Sequence, residues 1–453
     1  MTSFAILLIR SVIPACLCGM LAMAASGNEE TMPTRFSLAV SADKTHLVDK
    51  NGRPFFINGD AAWSLIAELT LDEAEHYLQD RKARGFNALL VSLIEHHYSS
   101  NPPNNIYGDP PFTKPDSFDQ PDAAYFNHAH DVLERAQALG FVVFLAPSYI
   151  GVNYGSDGWY REMVENGPES LSVYADFVVR RFADLDNIIW THGGDWDAPD
   201  KTLINAMAEA IAAADPDALQ TVHSNRDTVT ADLWKDASWL DIDTAYTYGD
   251  TARKVQEHLR GDYGLPVILI ESLYENERGT TTQMLREAAY GAVVAGAAGT
   301  FFGNNPIWNF NGRELFETDR AWQEELSSPG AQSMTHMRAF FESIPWWKLR
   351  ADDSRGLCGF LSQRSGNRCA ATQDRRLSVI YMSRVRSIQV SPEGFADGPI
   401  CGDWYDPRTG HSHVAFESLH AGSNRIDVRP DASMEDDWLL VLSVCETDPF
   451  TAN

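Results

Sequence analysis

Two carboxylates in this 453-residue chain stand where acid–base chemistry is possible. Asp195 follows Gly193 and Gly194 directly after the apolar run 187–192, and residues without a Cβ allow a tight turn and close approach to a ligand. Glu271 ends the run Val267-Ile268-Leu269-Ile270, which puts an ionisable group at the edge of an apolar strand. Burial raises a carboxyl pKa, and a nearby carboxylate raises one of the two further. Glycoside hydrolysis needs such a split pair, one carboxyl protonated to donate and one ionised to attack or to activate water. A separation of about 5–5.5 Å between the two would imply retention of configuration, and about 6.5–9.5 Å inversion. Taken singly, each residue reads equally well as a helix cap or a hydrogen-bonded buried carboxylate. Taken together, they are the candidate catalytic pair.

Polar and aromatic side chains collect at the ends of other apolar runs: Asp60, Trp63, His96, His97, Tyr149, His192, His223, Asn225, Tyr246, Tyr248, Tyr274 and Trp308. A sugar needs donors and acceptors for its hydroxyls and flat apolar surfaces for its C–H face, so these are the candidate substrate-binding residues. A phosphate ligand would need cations, and these exits offer almost none. His96 and His97 are adjacent, so in an extended strand their side chains diverge and cannot chelate one metal. Asp60 reads equally as a sugar ligand or a cap, and His192 as a residue that orients Asp195. No Gly-x-Ser-x-Gly elbow, His-Glu-x-x-His or Walker loop is present, and no metal or cofactor is expected.

The elements that must position these groups follow from the hydrophobic pattern. Short apolar runs at 55–58, 86–93, 141–147, 187–192, 219–223, 241–246, 266–270 and 299–302 alternate with amphipathic segments. Thr70-x-x-Glu73 is a capping box for a helix that ends at Gly85. Pro121-Asp122 opens a helix stopping at Gly140, and Pro168 suits the first turn of a helix over 169–182. Further helices are expected over 202–214, 228–235, 251–259 and 281–295, with a closing helix at 333–341. Near-continuous apolar strands are what a parallel sheet buried on both faces requires. Eight of them, each followed by a helix, predict an α/β fold of the (β/α)₈ TIM-barrel type over 25–349. An open doubly wound sheet is the alternative, weakened by the lack of a Gly-rich phosphate loop after the first strand. From Arg350 to Asn453 lysines disappear and short strands such as 377–382, 404–405, 414–416 and 438–444 predict a small C-terminal β-sandwich domain.

Composition narrows the setting. The formal net charge is −27, and 25–349 carries 24 basic and 48 acidic residues. That excludes the basic footprint nucleic acid needs. Residues 1–24 combine Arg10, an apolar run and Ala22-Met23-Ala24, the pattern of an export signal rather than of a membrane span. A periplasmic or secreted protein follows. The apolar stretch 288–302 is interrupted by Gly291, Gly296 and Gly299 and reads as a core helix running into a strand. With the signal removed, four cysteines remain, and an even count in an exported chain favours disulfides. Of three possible pairings, Cys358 with Cys369 and Cys401 with Cys445 fit best, since the first two bracket the turn-like Ser365-Gly366-Asn367.

At these residues the chain resembles the apiosidase-like glycoside hydrolases, family 140. The resemblance rests on Asn58-Gly59-Asp60-Ala61-Ala62-Trp63, Leu69-Thr70 with Glu73, Arg84-Gly85-Phe86-Asn87, Asn187-Ile188-Ile189-Trp190 with Gly193-Gly194-Asp195, Glu271 with Tyr274-Glu275, and Ile307-Trp308. Trp404-Tyr405-Asp406-Pro407 and Asp437-Trp438-Leu439-Leu440 resemble the collagen-binding-type β-domain that often follows such a barrel. The resemblance implies a glycosidase that releases apiose from rhamnogalacturonan II side chains of plant pectin, with Asp195 as acid/base and Glu271 as nucleophile. Ile270-Glu271-Ser272 stands where the family pattern has Gly-Glu-Pro, which leaves the sugar open. The expected partner is therefore an oligosaccharide or polysaccharide substrate. The alternatives are a non-catalytic glycan-binding barrel and a glycosidase of the same fold with another sugar specificity.

Overall fold

A computed structural model describes residues 37–313, 315–351, 367–385, 387–420, 422–423, 426–433 and 435–445. The expected export signal and Cys358, with its pairing to Cys369, lie outside them.

Eight parallel strands form the barrel: β1 Ile57–Ala61, β2 Ala88–Ser92, β3 Val142–Ala146, β4 Ile188–Gly193, β5 Gln220–His223, β6 Asp243–Tyr246, β7 Val267–Glu271 and β8 Gly299–Asn304. After them run α1 Leu71–Ala83, α2 Ala123–Ala138, α3 Tyr160–Arg181, α4 Lys201–Ala214, the single turn α5 Thr230–Leu233, α6 Thr251–Leu259, α7 Thr282–Val294 and α8 Pro329–Glu342. All the strand residues are buried except Ile188 at the start of β4, because helices cover the outer face and packed side chains fill the inner one. β8 returns to β1 in parallel register, Gly299 opposite Ile57 and Phe302 opposite Asp60.

The one seam without a ladder, between β5 and β6, is bridged by other bonds. Asp241 N–H donates to Gln220 O at 3.0 Å, Thr221 Oγ1 to Ile242 O at 2.8 Å, and Thr244 Oγ1 to Val222 O. Helix starts follow local chemistry. The Thr70/Glu73 capping box is formed in both directions, and Asp122 caps α2 through Ala124 N–H at 2.9 Å. α3 begins earlier than expected, at Tyr160; Gly167, at φ +76°, breaks it directly before Pro168.

The C-terminal part folds into antiparallel strands β9 Leu349–Ala351, β10 Arg368–Thr372, β11 Leu377–Met382, β12 Ile388–Val390, β13 Ile400–Asp406, β14 His411–Leu419, β15 Ile426–Val428 and β16 Trp438–Val444. Six make one sheet in the order β9-β10-β11-β16-β13-β14, and β12 pairs with β15 as a ribbon. Sheet and ribbon enclose a second core containing Ile380, Ile388, Val428 and Leu440. A disulfide joins Cys401 to Cys445. This domain is packed firmly on the barrel. Arg286 of α7 makes a two-pronged contact with buried Asp437 at 2.8 and 2.7 Å, and Tyr290 stacks on Tyr381 at 5.6 Å. No helix among the described residues is long and apolar enough to cross a membrane.

Candidate active site

The C-terminal ends of the strands open into a cavity of about 230 Å³. Its lining includes Asp195 and Glu271, supplied by β4 and β7 from opposite sides of the barrel. A carboxylate oxygen of Asp195 lies within 4.8 Å of one of Glu271, with His223 of β5 between them.

The local backbone explains the Gly-Gly-Asp sequence. Gly193 and Gly194 adopt φ of +79° and +131°, and Asp195 itself lies at +57°. A Cβ on Gly194 would fall 2.2 Å from the Tyr149 ring, and one on Gly193 2.7 Å from the His223 carbonyl. Only two successive glycines let the chain turn there, and that turn aims Asp195 inward. Tyr149 then donates its hydroxyl to Asp195 Oδ2 at 2.7 Å, while Oδ1 has no hydrogen-bond partner.

Asp195 N–H donates to His223 Nδ1 at 3.1 Å, so Nδ1 is an acceptor and the ring proton sits on Nε2. From there it donates to Glu271 Oε2 at 3.0 Å, and Tyr248 donates its hydroxyl to Oε1 at 2.9 Å. Asp195, His223 and Glu271 each bring one ligand-type atom close enough for a metal, but the imidazole presents N–H rather than a lone pair to that space. The imidazole thus bridges the Asp195 backbone N–H and the Glu271 carboxyl.

Burial pushes the Glu271 carboxyl up to about 7, and the charge of Asp195 adds to this against the bonds from His223 and Tyr248. Burial alone would lower the His223 pKa, but its bond to Glu271 and the two negative charges hold it above the ordinary value. Aromatic rings wall the space. Trp63 meets Tyr149 and His223 edge-on or tilted at 5.9 and 5.7 Å and donates its indole N–H to the Tyr274 hydroxyl at 3.2 Å. Tyr246 packs against His223 and Tyr248, and Trp308 lines the cavity with Asn225.

Five expected binding residues do not line this cavity: His223 reaches it only through its bond to Glu271, and the other four point elsewhere. Asp60 is fully buried behind β1, with Oδ2 accepting from Arg81 Nε at 2.5 Å and from the Tyr77 hydroxyl at 2.7 Å. His192 is buried too, bonded through Nε2 to Gln220 at 2.8 Å and set edge-on to Trp239. Burial lowers its pKa to about 4. Both sit on the outward parity of their strands, since successive strand side chains alternate faces. His96 packs edge-on to Trp159 at 4.6 Å, and His97 lies 3.2 Å from Arg313 Nη1; their rings do diverge.

Cavity residues not singled out from sequence include Glu95, Tyr98, Trp196, Arg226, Glu277 and Arg278. Glu95 and Tyr98 belong to the polar end of the second apolar run, which was the available signal. Glu95 Oε1 accepts the N–H groups of His96, His97 and Tyr98 at 3.0, 3.2 and 3.1 Å, which fixes the loop after β2.

Residues 41–348 match the family model "Apiosidase-like, catalytic domain", and residues 359–443 match "Putative collagen-binding domain of a collagenase". Among solved structures, a glycoside hydrolase family 5 protein from Bacteroides vulgatus ATCC 8482 superposes with a TM-score of 0.80 at 22% identity, over 91% of this chain and 93% of that one. A protein titled "Glycoside hydrolase" superposes with a TM-score of 0.80 at 23% identity, over 92% and 99%. At such identities the superpositions establish the fold. No curated protein matches the sequence. Because the family model spans the whole barrel, the chain belongs to the apiosidase-like family and is a glycoside hydrolase.

Proposed function

We propose that this protein is an exported, exo-acting, retaining glycosidase that removes a terminal sugar from pectin side chains through Asp195 and Glu271. The observation that carries this reading is the approach of the two carboxyl groups, within 4.8 Å oxygen to oxygen, in a cavity walled by aromatic rings. So close an approach of the nearest oxygens favours the retaining arrangement over the wider inverting one. Family membership supports the pectic substrate, and the cavity's small volume supports the removal of one terminal unit.

The donors around the pair suggest the division of labour. Two donors, His223 Nε2–H and the Tyr248 hydroxyl, point at Glu271 and favour its anion. Asp195 keeps one oxygen, Oδ1, without a hydrogen-bond partner. In this reading the reactive form has Glu271 ionised and the transferable proton on Asp195. Glu271 then attacks the anomeric carbon as the glycosidic C–O bond breaks and Asp195 gives its proton to the leaving oxygen. In the second half, Asp195 takes a proton from water, the water oxygen bonds to the anomeric carbon, and the ester to Glu271 breaks.

Incubation with pectic oligosaccharides, followed by identification of the released sugar and its first-formed anomer by NMR, tests the reading. Release with retained configuration is expected. Binding without release, or an inverted product, would overturn it.

A further inference from the structure

A third carboxyl faces the same cavity. Glu277 lies on the loop after β7, only 8% exposed, and lines the cavity with Asp195 and Glu271. Its carboxyl makes no hydrogen bond or ion pair with any described residue. The loop is built to present it. Asn276 at φ +66° and Arg278 at φ +51° take left-handed conformations on either side. Asn276 Nδ2 is tied to Asn305 O at 2.9 Å and Glu325 Oε2 at 2.7 Å, and Arg278 sits over the rings of Tyr248 and Phe316. Non-glycine residues at positive φ are uncommon and persist when their surroundings hold them, often where a side chain must be aimed.

An unpaired carboxyl held at the wall of an open cavity is free to bond a ligand there. We propose that Glu277 binds the sugar in this cavity as a neutral carboxylic acid, donating a hydrogen bond to a hydroxyl of an uncharged sugar ring. The inference rests on the glycosidase reading of this cavity. Burial pushes the Glu277 carboxyl up to about 8, and Glu271 adds to this while Arg278 opposes it. From the other walls Asp195 and Glu95 add negative charge, and Arg226 and Arg278 are the two cations among the described lining residues. Four carboxyl groups around one sugar disfavour a uronate there and leave a proton donor as the useful form of Glu277.

The test measures kcat and KM between pH 5 and 9 for the wild type, Glu277→Ala and Glu277→Gln on the pectic oligosaccharide the wild type cleaves, with binding by calorimetry alongside. Loss of one such bond raises KM about tenfold or more in Glu277→Ala at pH 6. Glu277→Gln keeps an uncharged donor in place and stays within about threefold of wild type by the same reasoning. Wild-type KM climbs as pH passes about 8, and that rise is missing in Glu277→Gln. An unchanged KM in the alanine variant, a glutamine variant as weak as alanine at an equal melting temperature, a flat wild-type KM, or a released uronic acid would each overturn the proposal while leaving the glycosidase reading intact. A wild type that neither binds nor cleaves these oligosaccharides would defeat both. If it binds without cleaving, the glycosidase reading fails alone, and the three dissociation constants replace KM in the same comparison.

Discussion

Asp60 and Glu271 both end or nearly end strands of one barrel and both are buried, yet their surroundings differ in kind. Asp60 points outward into the layer between β1 and α1, where Arg81 is held against it at 2.5 Å and the Tyr77 hydroxyl completes the contact. Glu271 points inward, where its nearest charged neighbour is another carboxyl and its donors are an imidazole and a phenol. A charge that serves the fold is given a full counterion. The charge proposed to serve chemistry is given hydrogen bonds that orient it and a like charge that raises its pKa.

Substitution at the two centres should therefore separate activity from stability. Glu271→Ala is expected to lower kcat by on the order of 10⁴ or more, because no covalent intermediate can form, while circular dichroism and the melting temperature stay close to wild type. Full activity in that variant would remove Glu271 from the mechanism. At the other centre, Arg81→Met leaves Asp60 as a buried charge without its partner and should destabilise the protein by about 3–5 kcal/mol in urea unfolding. The double variant Arg81→Met/Asp60→Leu should recover part of that loss, because a well-packed apolar pair avoids the desolvation penalty. An Arg81→Met protein as stable as wild type would show that the pair is not what secures α1.

The coupling within the inward pair gives a finer test. Asp195→Asn removes the negative charge that, after burial, does most to raise Glu271. The Glu271 pKa then falls from about 7. An aryl glycoside with an acidic phenol needs little protonation of its leaving group, so its cleavage reports the ionisation of Glu271. The rising acid limb of kcat/KM for that substrate should move to lower pH by on the order of one unit. A limb that stays in place would mean that Asp195 and Glu271 titrate independently.

The same contrast marks what could be read from the chain. Eight buried parallel strands announce themselves as apolar runs, and the Thr70/Glu73 box set the start of α1 because capping is local chemistry. Gly193-Gly194-Asp195 and Glu271 were legible for a related reason: each puts a polar group at the end of an apolar strand. Strand parity was the step that failed. Asp60 and His192 share the exits of β1 and β4 with cavity residues, but one position along a strand turns a side chain from the cavity to the helix layer. Glu277 was harder still. Its direction depends on left-handed backbone at Asn276 and Arg278, residues whose types give little hint of it.

Glu277 also extends the comparison to stability, with a smaller effect of opposite sign to Arg81→Met. Its folded pKa of about 8 lies above the ordinary carboxyl value of 4.5, because burial disfavours the charged form. Between those two pH values the folded protein holds a proton that the unfolded chain has released. Wild-type stability therefore falls as pH rises through that window and stays lower above it. Glutamine has no such titration and no partner to lose. Glu277→Gln should match wild type in melting temperature near pH 4 and exceed it by a few degrees, roughly 2–4 °C, near pH 9. An equal gain at both pH values would point to better packing instead, and no gain at pH 9 would mean that the wild-type carboxyl ionises there without penalty. A gain confined to alkaline pH would show that this cavity keeps an acid where the fold alone would prefer an amide.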